Sequence, residues 1–141
     1  MTQPVRPMVL DGNSRGAFPR PMQQGDGWLV APSVTPLTTA GAGTLLAGLF
    51  ATGHLHRTGP GGAFADTVDT GANMDLAYPN LLVGDAIVVR YTVSVAFAST
   101  ITAAAGITLK TAAANNIVAA SQSAWLIFYK TGVGTYDLYV A

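Results

Sequence analysis

Apolar and polar positions alternate most clearly over residues 81–95. From Ala86 onward β-branched and aromatic residues dominate, a composition that fits a pleated, half-buried surface. From Val89 the period is two: Val89, Tyr91, Val93 and Val95 share one face, and Arg90, Thr92 and Ser94 share the other. This predicts a long strand with one face on a core and the other solvated or shared with a partner. Gly84-Asp85 just before it is a turn signal, because Gly accepts positive φ and Asp can bond its own backbone. Further short strands are predicted over residues 100–103, 106–110, 117–120, 124–130 and 136–140. Residues 124–130 are the most apolar of these, with Trp125 inside the run, and should pair near the middle of a sheet. Gly132 and Gly134 then turn the chain back into a closing strand with Tyr136, Leu138 and Val140 on one face.

Upstream, a strand is expected to enter from Phe50, with His54 and His56 on one face. Thr70 is placed to cap a short helix over about residues 71–77. Tyr78-Pro79 ends it, since Pro disfavours helix at the residue before it, and Met74, Leu76 and Tyr78 would lie over the sheet. Strands every 8 to 12 residues with Gly and Asn turns indicate an all-β fold, a β-sandwich or small barrel with one short helix.

The first part of the chain reads differently. Six of the eight prolines and three of the five arginines lie before residue 40. Proline removes backbone donors and disfavours both helix and central strand. Val9, Leu10, Phe18, Trp28, Leu29 and Val30 are nevertheless too apolar for a freely solvated linker. The expected organisation is an extended Pro-rich arm over residues 1–48, lying along its own or a neighbour's surface, followed by a β-rich domain over residues 49–141.

Composition sharpens this picture. Half of the residues are hydrophobic, only 10% are charged, Glu is absent, and seven Lys+Arg balance seven Asp. No electrostatic pull on nucleic acid or anionic lipid follows from that balance. A chain with so little charge is better suited to an assembly that covers its surface. There is no cysteine, so disulfides and thiolate sites are excluded. The opening Met-Thr-Gln-Pro-Val-Arg-Pro has no apolar signal core, and the apolar runs are too interrupted by Pro and Gly, or too rich in Thr and Ser, for a membrane helix.

Candidate chemistry is sparse. His54 and His56 could share a metal, but a site needs three or four ligands and no third is evident. Thr58-Gly59-Pro60-Gly61-Gly62 is a Gly-rich loop without the Lys-Ser/Thr of a phosphate cradle. Asp66, Asp69 and Asn73 do not have calcium-loop spacing. Asp66, Asp69, Asp75 and Asp85 suit turns and caps better than a hydrolytic pair, and no nucleophile elbow is present. The expectation is a non-enzymatic protein with no catalytic residue, metal or cofactor.

Two series in the chain resemble tailed-bacteriophage virion proteins. One is Arg57-Thr58-Gly59-Pro60, Ala63-Phe64-Ala65-Asp66-Thr67, a short helix, then Val83-Gly84-Asp85 and a strand. The other is Ile101-Thr102-Ala103-Ala104-Ala105-Gly106-Ile107-Thr108-Leu109, a Ser-Gln-Ser turn and a closing apolar hairpin. The resemblance covers about residues 57–141 and is to capsid decoration (cement) proteins, head fibres and related appendages. It implies a β-rich domain, often a homotrimer, bound to the outer surface of the capsid in a virion assembled in the host cytoplasm. The expected partner is then the major capsid protein, with neither nucleic acid nor membrane involved. The arm would supply the contact: Val9, Leu10, Phe18, Trp28, Leu29 and Val30 as buried area, and Arg6, Arg15 and Arg20 as partners for shell carboxylates. A receptor-binding tip of a tail fibre is the alternative, favoured if Trp and Tyr are exposed in the loops of the folded domain, but Trp28 falls in the arm and Trp125 inside an apolar strand.

Overall fold

Consecutive strands of this chain step back and forth between two sheets, so neighbours within a sheet run parallel for most of the domain. A computed structural model describes residues 33–141, which form one compact unit, Ser33–Ala141. Val34–Leu37 (β1), His54–Arg57 (β3) and Ala86–Val93 (β5) lie side by side and parallel in the larger sheet. Gly43–Leu45 (β2), Phe64–Val68 (β4) and Ser99–Thr102 (β6) do the same in the smaller one. Ile107–Leu109 (β7) returns to the larger sheet, and Ile117–Val118 (β8) closes the smaller antiparallel to β6. Ser123–Gly132 (β9) and Thr135–Val140 (β10) form the closing hairpin. The final orders are β1-β3-β5-β9-β10-β7 and β2-β4-β6-β8. The domain is therefore mostly β, built from two mixed sheets, with the helix Gly71–Ala77 (α1) and 3₁₀ turns at Ala47–Thr52 and Ala113–Asn115.

Several local expectations hold. Val89, Tyr91 and Val93 of β5 are fully buried, and β9 lies inside the larger sheet between β5 and β10. Tyr136, Leu138 and Val140 point inward together. Thr70 caps α1, its hydroxyl accepting from Asn73 N at 3.2 Å. The turn before β5 has Gly84 at φ 98°, and the Asp85 carboxylate accepts from Leu82 N at 2.9 Å.

Others are corrected. Residues 34–45, assigned by sequence to the arm, supply β1 to the larger sheet and β2 to the smaller. Phe50 is not in a strand. It lies in the 3₁₀ turn, buried and stacked on Phe128 at 5.1 Å, and β3 begins only at His54. Leu76 does not cover the sheet: it is 80% exposed, while Met74 of the same helix is buried. β4 has no apolar period in the sequence, because its buried face alternates Phe64, Asp66, Val68 and the aspartate interrupts it.

The buried faces of both sheets contribute to one cluster, with Leu45, Val68 and Ile101 from the smaller and Leu55, Val89, Leu126, Phe128 and Leu138 from the larger. Set within it is a polar knot. Arg57 on β3 is 1% exposed and Asp66 on β4 is 0%. Arg57 Nε donates to Asp66 Oδ2 at 2.7 Å and Nη2 donates to Oδ1 at 3.1 Å. Its remaining N–H groups donate to the carbonyls of Leu37, Thr39 and Gly41. All five guanidinium donors are thus satisfied, which is what a buried charge requires. Asp66 also accepts from Gly43 N at 2.9 Å and from the Tyr91 hydroxyl at 2.6 Å, and Tyr91 Oη lies 2.8 Å from Ser99 Oγ. Burial and the neighbouring Asp66 carboxylate both push the Tyr91 hydroxyl well above the usual phenol range, so it stays a donor. One ion pair thereby joins the two sheets and holds the β1–β2 connection.

Candidate functional site

The expected arm contacts Arg6, Val9, Leu10, Arg15, Phe18, Arg20, Trp28, Leu29 and Val30 lie outside the described residues. Within the folded domain two surfaces stand out, and both are built by alternation on strands whose other face is buried.

The first is the outer face of the larger sheet. Strand pairing sets its side chains in rows: His54, Arg90 and Trp125 in one, Val88, Ile127 and Tyr139 in the next, Ala86, Tyr129 and Asp137 in a third. Val88, Trp125, Tyr129 and Tyr139 are 40 to 49% exposed, although each flanks a buried core position. Trp125, read from the sequence as lying inside an apolar strand, is thus half in solvent. Its neighbours Ala124 and Leu126 are the buried ones. The rings of Tyr129 and Tyr139 meet edge to face at 5.7 Å and, with Ile127 and Asp137, line a groove of about 520 Å³.

The opposite corner of this face is polar. His54 Nε2 lies 2.9 Å from Thr92 Oγ1, and His56 Nε2 lies 2.5 Å from Ser94 Oγ. Arg90 Nη2 donates to Ser123 Oγ at 3.2 Å. Partial burial, Arg90 and His56 together lower the His54 pKa, which favours its neutral form. The imidazoles share a face as expected, each engaged with a hydroxyl. Among the described residues no group of three or more His, Cys, Asp or Glu gathers to hold a metal ion.

The second surface is one end of the domain, organised by Asp75. Its carboxylate accepts from Lys130 Nζ at 2.7 Å, the Tyr136 hydroxyl at 2.7 Å and Gly134 N at 2.6 Å. The bonds from Lys130, Tyr136 and Gly134, in that order, hold its pKa down to about 2. Gly71 packs so closely here that a Cβ would fall 2.0 Å from Gly134 O. Lys130 N donates to Asp85 O and Gly84 N to Lys130 O, both at 2.9 Å. α1, the turn before β5 and the β9–β10 turn are thus tied together. Each carries an outward apolar residue beside its tie: Leu76, Leu82 with Val83, and Val133, all two-thirds or more exposed.

The remaining sequence candidates have structural partners. Gly59 of the Gly-rich loop lies against Thr38, where a Cβ would sit 2.1 Å from Thr38 O, so a close backbone approach explains the glycine. Asp69 is partly desolvated, but Ala47 N, Asn73 Nδ2 and Thr70 N donate to it, and its pKa is lowered on balance. Asp66 belongs to the buried knot, Asp75 to the end of the domain and Asp85 to its turn. The exposed aromatic face could have been found from the odd positions of residues 123–131, where Trp125, Ile127 and Tyr129 alternate with Leu126 and Phe128. Uniform apolarity concealed which set faces in.

No protein-family model, curated protein or solved structure matches this chain.

Proposed function

We propose that this chain is a structural virion protein, a capsid decoration (cement) protein that binds the outer surface of a bacteriophage head and stabilises contacts between major capsid proteins. In this reading the two mixed sheets form a β-sandwich, residues 1–32 act as a Pro-rich arm, and the working unit is a homotrimer. The resemblance over residues 57–141 and the low charge favour it. The observation that carries it is the apolar end of the domain. Leu76, Leu82, Val83 and Val133 project from three segments tied together by the Asp75 carboxylate and the Lys130 backbone, which suits seating on another protein rather than exposure to water. Arms spreading beyond that seat would add contacts by multivalency, with no single contact needing to be strong. The decisive experiment measures binding to purified heads that lack the protein. Leu82→Asp with Val133→Asp should reduce decoration at least tenfold, about 1.4 kcal/mol, without changing the circular dichroism spectrum. Undiminished decoration by this variant would remove the apolar end from the mechanism.

A receptor-binding tip remains a second reading, and a specific observation favours it: Trp125, Tyr129 and Tyr139 are exposed on rigid central strands. The two readings separate by position in the particle. Label on heads supports decoration, whereas label confined to the tail tip supports receptor binding.

A further inference from the structure

We infer that the outer face of the larger sheet binds an acidic polysaccharide, with the carboxylate of one sugar on Arg90, the ring of that sugar on Trp125, and a later sugar on Tyr129 and Tyr139. The inference gives the receptor-binding reading above a ligand class and rests on that reading for its use. The binding itself is a property of the purified chain.

The two arginines of the folded domain stand in opposite conditions. Arg57 is buried with every donor satisfied. Arg90 is exposed, and among the described residues its guanidinium makes one hydrogen bond, to Ser123 Oγ at 3.2 Å, and no ion pair. Its neighbours on this face include His54 and His56 but no acidic side chain. The carboxylate of Asp137 is two rows away and already has Lys110 Nζ at 3.5 Å. The corner thus carries an uncompensated positive charge and free donors in a planar fork, which suits a carboxylate. Trp125 pairs directly with Arg90 across β5 and β9, and with Ser123 and Ala124 these two line a cleft of about 260 Å³, room for one ring-sized group. The Ser123 and Thr92 hydroxyls, 2.8 Å apart, can each donate or accept. A carboxylate-bearing sugar answers all three features: its anion meets the guanidinium, its C–H face the indole, and its hydroxyls the serine and threonine. An aspartate or glutamate side chain would answer only the first.

The face continues in the same chemistry along β9. Tyr129 lies four residues beyond Trp125 on the same side of the strand, about 13 Å away, too far for one sugar to reach both. There the Tyr129 and Tyr139 rings line the 520 Å³ groove with Asp137, and Lys110 stands beside that carboxylate. An ammonium and a carboxylate next to aromatic rings offer sugar hydroxyls both a donor and an acceptor while adding no net charge. A cationic ligand would find Asp137 already partnered. The matching ligand is therefore a chain of sugars laid along β9, with its acidic group at the Arg90 end. β9 is held between β5 and β10, so the rings are positioned before binding and little ordering cost remains.

Titration calorimetry on the purified full chain tests this with three hexasaccharides: one of galacturonic acid, one of sialic acid and, as the uncharged control, maltohexaose. Salt is kept at about 0.15 M, where long-range attraction is screened. At least one acidic hexamer should bind with a dissociation constant below about 1 mM, and maltohexaose at least tenfold more weakly. The acidic hexamer that binds identifies the sugar. Arg90→Lys keeps the charge but removes the fork, and Trp125→Ala removes the platform. Each should weaken the acidic hexamer at least fivefold, with circular dichroism confirming the fold. Tyr129→Ala should weaken the hexamer more than the dimer of the same sugar. The inference is overturned if neither acidic hexamer binds, if maltohexaose binds as tightly, or if Arg90→Lys or Trp125→Ala leaves binding unchanged. Label on heads together with hexamer binding would remove the receptor-binding reading alone. Label on the tail tip without hexamer binding would remove this inference alone.

Discussion

Arg57 and Asp66 show how much a single pair of side chains can determine. Replacing a buried ion pair with well-packed apolar residues can be neutral, but removing one partner strands the other charge, at a cost of about 3–5 kcal/mol. Asp66→Asn should therefore lower unfolding free energy by roughly that amount in a denaturant titration. Tyr91→Phe, which removes only the hydroxyl shared with Asp66 and Ser99, should cost about 1–3 kcal/mol. Asp75 is a surface counterpart with a pH signature. Its pKa is about 2 in the fold against 3.8 for the free group. Its contribution is thus fully present above about pH 4 and is lost as pH falls through about 2. Thermal melts between pH 4 and pH 2 should show a falling midpoint in the wild type and a flatter profile in Asp75→Asn. An equally steep profile in that variant would assign the acid sensitivity to other carboxylates.

The elements show which kinds of signal a sequence carries. α1 was legible to the residue because its start and stop are local chemistry: a threonine hydroxyl at one end and Tyr78-Pro79 at the other. Thr70→Ala should cost about 1 kcal/mol. Gly71→Ala should cost more, since its methyl would meet Gly134 O, and hydrogen exchange should then rise in the β9–β10 turn as well as in the helix. β5, β9 and β10 were legible from alternation and apolarity. β4 was not, because Asp66 occupies a core position whose logic appears only with Arg57, Tyr91 and Gly43 around it. β1 and β2 are hard to read from the sequence because Pro36 argues against a strand and the short apolar run after Gly41 suits a helical turn as well as a strand; β1 is an edge strand, where proline is tolerated. The two surfaces were least legible. Exposure of Trp125, and the ties that join the segments carrying Leu76, Leu82, Val83 and Val133, depend on pairing between parts of the chain distant in sequence.

For the whole molecule, the boundary of the folded domain decides how the arm should be tested. Deleting residues 1–32 keeps β1, whereas deletion to residue 40 removes it and the carbonyls of Leu37 and Thr39 that Arg57 holds. The 33–141 chain should keep its β circular dichroism and its assembled mass. Its binding to heads should fall at least tenfold, about 1.4 kcal/mol, if Arg6, Arg15, Arg20 and the apolar residues between Val9 and Val30 form the clamp. Equal decoration by the shortened chain would exclude that role.

The grip of Arg57 also has a mechanical meaning. Any tension borne by the first 32 residues enters the domain at Ser33 and reaches β1, a four-residue edge strand that could peel away from β3 one bond at a time. Peeling meets resistance at the end of β1, where one guanidinium holds the carbonyl of Leu37, the strand's last residue, and those of Thr39 and Gly41 in the connection beyond it, and is itself anchored across the core to Asp66. The domain thus has a built-in strain relief: a pull on Ser33 can open the start of β1 while Arg57 keeps its end, and the remaining sheets, closed.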